Sequence, residues 1–172
     1  MRLVLLQREA SRSNRLVPFV TTLFFVMISV LPLRVPGFSA VAPSFALMAV
    51  YHWTIYRAEL LPASAVFIVG LLLDLLSGTP YVGTSALSLL LARTTLMGQR
   101  RFLVDRFFPV LWAGFLLTAV AVIAFEWALV SLLHGAPLGT RPFIFEAVLT
   151  VATFPVGSYI LARAQRAFLA RV

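Results

Sequence analysis

The chain lacks cysteine and lysine, and it has few charged residues of either sign. Its 172 residues contain no Cys, and only 12% of them are charged. Without Cys the chain can form neither disulfides nor thiolate metal sites. All 14 basic residues are Arg, against six acids, which gives a net charge of +8. The low charge content argues against a soluble domain, in which roughly a quarter of the residues are charged.

What the chain has in abundance is hydrophobic residues, which make up 61% of it, with a mean hydropathy of +0.99. This composition predicts an all-α, polytopic membrane helix bundle with about six transmembrane helices. The apolar runs lie at about 16–33, 40–56, 61–76, 81–97, 109–133 and 142–162. Several are shorter than the roughly 20 residues of a typical span. We expect a six-helix transmembrane domain over 16–162, between basic cytoplasmic segments at 1–15 and 163–172.

The distribution of Arg predicts the orientation of the bundle. With the N-terminus inside, 12 of the 14 Arg residues fall on the cytoplasmic side and only Arg34 and Arg141 lie outside. This asymmetry favours both termini in the cytoplasm and the bacterial inner membrane as the location. It also explains the positive charge better than nucleic-acid binding does. Trp53 and Trp112 are then expected at the inner interface and Trp127 towards the outer one.

The third apolar run contains an acid, Asp74, and an acid inside an apolar segment is costly enough to suggest function. Gly70, Asp74 and Gly78 follow one another at intervals of four, on one helical face, and Ser77 extends that small, polar side. We expect another helix to approach this face closely and to supply donors to Asp74. The alternative is a helix-end acid that reaches interfacial water. The sequence Gly78-Thr-Pro80 should end the helix.

In the expected topology, three carboxylates share the outer side of the membrane: Asp74, Glu126 and Glu146. A polar, small stripe continues from Glu146 through Thr150 along the sixth run. The functional interpretation is an outward polar cavity or a groove for a partner helix; the alternative is a bundle core with satisfied polar contacts. The candidate cavity and partner residues are Trp53, Gly70, Asp74, Ser77, Gly78, Glu126, Glu146 and Thr150.

Catalytic motifs are scarce in this sequence. The two histidines, His52 and His134, fall at opposite membrane faces in the expected topology, and His52 is interpreted as an interfacial residue. We find no triad pattern, phosphate-binding glycine loop or metal-ligand spacing. The sequence therefore predicts no catalytic residues, no cofactor and no metal.

Together these residues resemble the MreD family, the small multispanning subunit of the bacterial cell-elongation system. The resemblance covers most of the chain and is most specific in Gly70-Leu-Leu-Leu-Asp74-Leu-Leu-Ser-Gly78. It also rests on Pro43, Trp53, Gly83, Glu126 and Pro155, which is expected to kink the last helix. It implies a fold similar to the substrate-binding subunits of energy-coupling-factor transporters. It further implies MreC as a partner and, through it, the MreB filament, RodA and its transpeptidase.

The sequence thus predicts a non-enzymatic inner-membrane scaffold or regulator of lateral peptidoglycan synthesis and rod shape. Its expected mechanism is the binding of partner membrane segments in a groove that Asp74 shapes, with lipid around it. The first alternative is a small-molecule-binding membrane subunit of a transporter, which an outward polar pocket would also fit. The second, a membrane enzyme, lacks the catalytic constellation it needs.

Overall fold

The computed structural model describes residues 18–30, 42–104 and 107–169. Within these ranges about 85% of the residues are helical and none is in a strand. The expected all-α class is therefore confirmed. The helices are α1 (Pro18–Ser29), α2 (Phe45–Arg57), α3 (Ala63–Ser77), α4 (Thr84–Leu103), α5 (Phe108–His134) and α6 (Arg141–Leu169), with a 3-10 turn at Ala58–Leu60.

Each apolar run contains a helix, but within the described ranges only α5 and α6 are long and apolar enough to cross a membrane. Six full spans are therefore not confirmed. The 13 residues of α2 and the 15 of α3 reach only about 20 Å and 22 Å at 1.5 Å per residue, short of a ~30 Å hydrocarbon core. Helix α4 has 20 residues, but Arg93, Arg100 and Arg101 lower the hydropathy of its second half.

Helix α2 is the centre of the bundle. Ten consecutive residues, from Ala46 to Ile55, are buried, so this helix is covered on every side. It packs against α4 and α6, with smaller contacts to α3 and α5. The other neighbouring pairs are α3 with α4, α4 with α5 and α5 with α6. Because α2 is apolar all round, it fits a position enclosed by other helices.

Trp53 belongs to the core formed around α2, and the expectation that it lies at the membrane interface is wrong. Its side chain is fully buried, and its indole N–H donates to Thr21 Oγ1 of α1 at 3.0 Å. His52 is also buried and hydrogen-bonds Gln165 of α6 at 3.0 Å, so its interfacial assignment is wrong as well. Both side chains are covered because α1 and α6 pack over α2, an arrangement that hydropathy does not encode.

The connection between α2 and α3 is held by two arginines of α4. Arg100 Nε donates to the carbonyl of Ile55 at 2.8 Å, and Arg93 Nε donates to the carbonyl of Leu61 at 3.0 Å. Arg100 also pairs with Glu59 at 3.6 Å on the exposed side of the turn. Cations commonly satisfy the last carbonyls of a helix in this way. The bond to Ile55 satisfies a carbonyl in the last turn of α2. This turn lies on the side of the bundle where the Arg residues are concentrated.

The predicted domain boundaries are tested little by the described residues. The segment 1–15 and Arg34 lie outside them. Helix α6 passes the expected boundary at 162 and runs through Pro155 to Leu169; the kink at Pro155 stays a prediction.

Candidate functional site

Asp74 caps the N-terminus of the neighbouring helix α4. Its Oδ2 accepts the backbone N–H of Gly83 at 2.7 Å, and its Oδ1 accepts that of Ser85 at 3.1 Å. The hydroxyl of Thr84 adds a longer bond to Oδ1 at 3.4 Å. The first N–H groups of a helix lack partners within it. A carboxylate at this position also interacts favourably with the positive end of the helix dipole. Asp74 therefore supplies the cap that Gly83, the N-cap residue, cannot supply itself.

This capping geometry depends on the turn between α3 and α4. Gly78 ends α3 with φ +64°, and Gly83 precedes α4 with φ +105°. Both values lie in the region that favours glycine. The N–H groups of Gly78 and Thr79 bond the carbonyl of Asp74, the latter at 3.4 Å. The expected helix end at Gly78 is confirmed, and the reversal brings α4 back over the Asp74 side chain.

Gly70 is where α3 and α4 come closest. A Cβ placed on Gly70 would overlap the Cα of Ala86 and lie 2.8 Å from its backbone nitrogen. No larger residue fits there unless the helices move apart. The close approach expected for this face is confirmed, as is a neighbouring helix that donates to Asp74. Asp74 is fully buried, so the alternative of a helix-end acid in interfacial water is wrong.

Ser85 links the Asp74 cap to a polar cavity. Its backbone N–H bonds Asp74, and its hydroxyl donates to Oε1 of Glu126 on α5 at 3.0 Å. The three residues therefore form one connected polar chain that joins α3, α4 and α5. Asp74 lies at its buried end and Glu126 at the cavity end.

The cavity has a volume of about 470 Å³ and is lined by residues of α1, α3, α4, α5 and α6 and by the segment just before α2. Its polar lining includes two of the three predicted carboxylates, Glu126 and Glu146, and the predicted Ser77. The other lining residues are Ser29, Val30, Ala42, Pro43, Ser44, Leu73, Leu76, Thr79, Ser85, Pro142 and Phe143. The prediction that Glu126 and Glu146 lie on the same side of the bundle is therefore confirmed. Asp74 does not line the cavity and is connected to it through Ser85.

The carboxylates of this region have no cationic partner among the described residues. The ion pairs among the described residues involve a different acid, Glu59, which pairs with Arg57 and with Arg100. Arg141, an expected outer cation, is exposed at the start of α6 and does not line the cavity. Across the described ranges, no group of three His, Asp or Glu residues is arranged to hold a metal.

Thr150 has a structural role similar to that of Asp74. It is buried on α6, and its Oγ1 accepts the backbone N–H of Ser44, just before α2, at 2.9 Å. Gly157 continues this side of α6: a Cβ there would lie 2.9 Å from the sulfur of Met48. The polar, small stripe predicted on α6 therefore faces α2.

Sequence reasoning missed three features: the capped turn, the bond from Thr150 to Ser44 and the arginine clamps. One signal was available for the first. A helix that begins after glycine, with no capping side chain of its own, needs an acceptor from elsewhere. Asp74 is the one acid of the α3–α4 hairpin. Of the other predicted residues, Ser77 and Gly78 are exposed.

Comparisons of the chain with family models, with curated proteins and with solved structures gave no match.

Proposed function

We propose that this chain is a non-enzymatic membrane subunit that binds the membrane segments of partner proteins, as the resemblance to the MreD family implies. In this proposal it is a six-helix bundle of the bacterial inner membrane, with both termini in the cytoplasm. It acts as a scaffold or regulator of lateral peptidoglycan synthesis and rod shape. Its partners are MreC and, through MreC, the MreB filament, RodA and its transpeptidase.

The observation that carries the proposal is the uncovered apolar surface of α5 and α6. Only 28% of the apolar window of each helix is buried within the chain, whereas the core helix of a soluble protein is mostly buried. Large exposed side chains on this surface include Leu116, Leu117, Val120, Phe125, Ile144 and Val148. Apolar patches of this extent mark membrane or protein contacts. In the proposed function, lipid and partner helices cover this surface.

An apolar groove between α5 and α6 gives such a partner a place to pack. It has a volume of about 270 Å³, and its lining includes Val120, Ala124, Ile144 and Ala147. Small residues such as the two alanines let another membrane helix approach closely. The predicted role of Asp74 is then indirect: it fixes the start of α4, which packs against α5, and does not contact the partner itself.

A small-molecule-binding subunit of a transporter is the second candidate function. The cavity that contains Glu126 and Glu146 favours it, because its volume of about 470 Å³ lies within the range of ordinary small-molecule sites, about 300–1,000 Å³. A transport subunit would also need an energising partner. The two candidates therefore predict different associated proteins.

The experiment is affinity capture of the tagged full chain from bacterial membranes in mild detergent, followed by mass spectrometry. Recovery of MreC and other wall-elongation proteins is the expected result. The test variant carries Ala124→Trp and Ala147→Trp, which fill the α5–α6 groove. It should recover less of the partner than the unmodified chain at equal protein abundance. Recovery of a transport ATPase in place of wall-elongation proteins would overturn the scaffold function.

A further inference from the structure

We propose that the polar cavity binds the positively charged nitrogen of a small organic cation. The first observation is the charge of its lining: Glu126 and Glu146 are acidic, and the lining residues within the described ranges include no Arg or His. This site is separate from the α5–α6 groove, so the proposal stands whether or not the scaffold function holds.

Glu146 is the residue on which the inference depends. It lies on α6, is largely enclosed by protein and lines the cavity. Its carboxylate has no hydrogen-bond or ion-pair partner among residues 18–30, 42–104 and 107–169. Glu126 uses only Oε1, which accepts the Ser85 hydroxyl, so Oε2 is also open to a ligand. Both acids therefore keep acceptor capacity on the cavity side.

Unpaired carboxylates are unfavourable inside an apolar bundle. Removing a carboxylate from water is unfavourable unless a partner compensates for it. Two of them in one cavity also repel each other, which raises the cost. A cation between them reduces both penalties, because it supplies charge and hydrogen-bond donors to the same oxygens. Arg93 and Arg100 of α4 do not supply this cation, because they bind Leu61, Ile55 and Glu59 at the α2–α3 turn.

The volume of the cavity indicates a small ligand. The volume of about 470 Å³ lies within the range of ordinary small-molecule sites, about 300–1,000 Å³. The apolar lining of the cavity, which includes Val30, Leu73 and Phe143, suits an aliphatic group beside the charged nitrogen. A primary alkylammonium ion combines these properties.

The test uses the full chain in uncharged detergent, with n-butylammonium chloride and n-butanol as probes of matched shape. Ligand binding to the folded state raises the melting temperature in a saturable way. We expect n-butylammonium to do this and n-butanol to give no saturable rise. Glu146→Gln should raise the Kd for n-butylammonium roughly tenfold or more, the size expected for a lost bond to a charged group. Glu59→Gln, which changes an exposed acid outside the cavity, should leave the Kd unchanged.

Equal effects of the two probes, or no saturable effect of n-butylammonium at 100 mM above a sodium chloride control of about the same ionic strength, would overturn the proposal. An unchanged Kd in Glu146→Gln would overturn it too. The comparison of the two probes uses the unmodified chain, so it decides the question even where Glu146→Gln fails to fold.

Discussion

Replacing Asp74 is expected to destabilise the fold through the N-terminus of α4. Asp74→Leu removes the acceptors of the partly buried backbone N–H of Gly83 and the buried backbone N–H of Ser85, which lie 2.7 Å and 3.1 Å from the carboxylate oxygens. Thr84 keeps a second acceptor, the carbonyl of Tyr81 at 3.1 Å. One buried donor, at Ser85, and one partly buried donor, at Gly83, are therefore left without a partner in the variant.

The magnitude follows from those two donors. A buried N–H left unsatisfied costs about 1–3 kcal/mol, and the partly buried N–H of Gly83 adds between nothing and the same amount, so Asp74→Leu should lower the free energy of unfolding by about 1–6 kcal/mol. Asp74→Asn keeps one oxygen and turns an amide N–H₂ towards the other donor, so it should lose about half as much. At the upper end the loss approaches the whole stability of a small domain. We therefore expect reduced abundance of Asp74→Leu in cells as well as loss of function.

The assay is thermal aggregation of the purified full chain in detergent, combined with amide hydrogen exchange at the start of α4. We expect the melting temperature to fall in the order wild type, Asp74→Asn, Asp74→Leu, with faster exchange at Gly83 and Ser85. Glu59→Leu is the matched control, because its exposed ion pairs are worth at most about 1 kcal/mol. An Asp74→Leu protein as stable and abundant as wild type would refute the capping argument.

Two further substitutions test the packing of the bundle in the same assay. Gly70→Leu should destabilise the chain by more than 1 kcal/mol, because the new side chain would meet the backbone of Ala86. Leu72→Ala, on the half-exposed side of α3, should change the stability little. Equal losses of stability in the two variants would contradict the close approach of α3 and α4. Thr150→Val should cost about 1 kcal/mol by removing the acceptor of the partly buried N–H of Ser44. Thr153→Val should be nearly neutral, since that hydroxyl bonds only its own helix, and a reversed order would refute this role of α6.

Local spacing made part of the site predictable from sequence. Gly70 and Asp74 lie one turn apart, so a helix alone puts them on one face, and the structure confirms that another helix packs there. Glu126 and Glu146 were placed on one side because each lies a similar distance from a chain reversal. Both inferences used only helical periodicity and the alternation of antiparallel helices.

Features that depend on three-dimensional packing were not predictable in this way. The donors to Asp74 are backbone groups 9 and 11 residues further on, and they reach it only because Gly78 and Gly83 adopt positive φ. Trp53 was assigned to the interface because Arg57 follows it closely. Helix α2 is buried along ten consecutive residues, but the other helices of the chain are apolar as well, so an apolar sequence alone does not identify α2 as the central one.

Membrane embedding with the Arg-rich end inside is the claim on which the proposed function rests, and cysteine labelling tests it most directly. The chain has no Cys of its own, so Arg101→Cys and Gly139→Cys, both at exposed positions, can each be labelled alone. In intact spheroplasts, a membrane-impermeant maleimide should label position 139 and should label position 101 only after permeabilisation. Labelling of position 101 from outside, or recovery of the chain in the soluble fraction, would contradict the account.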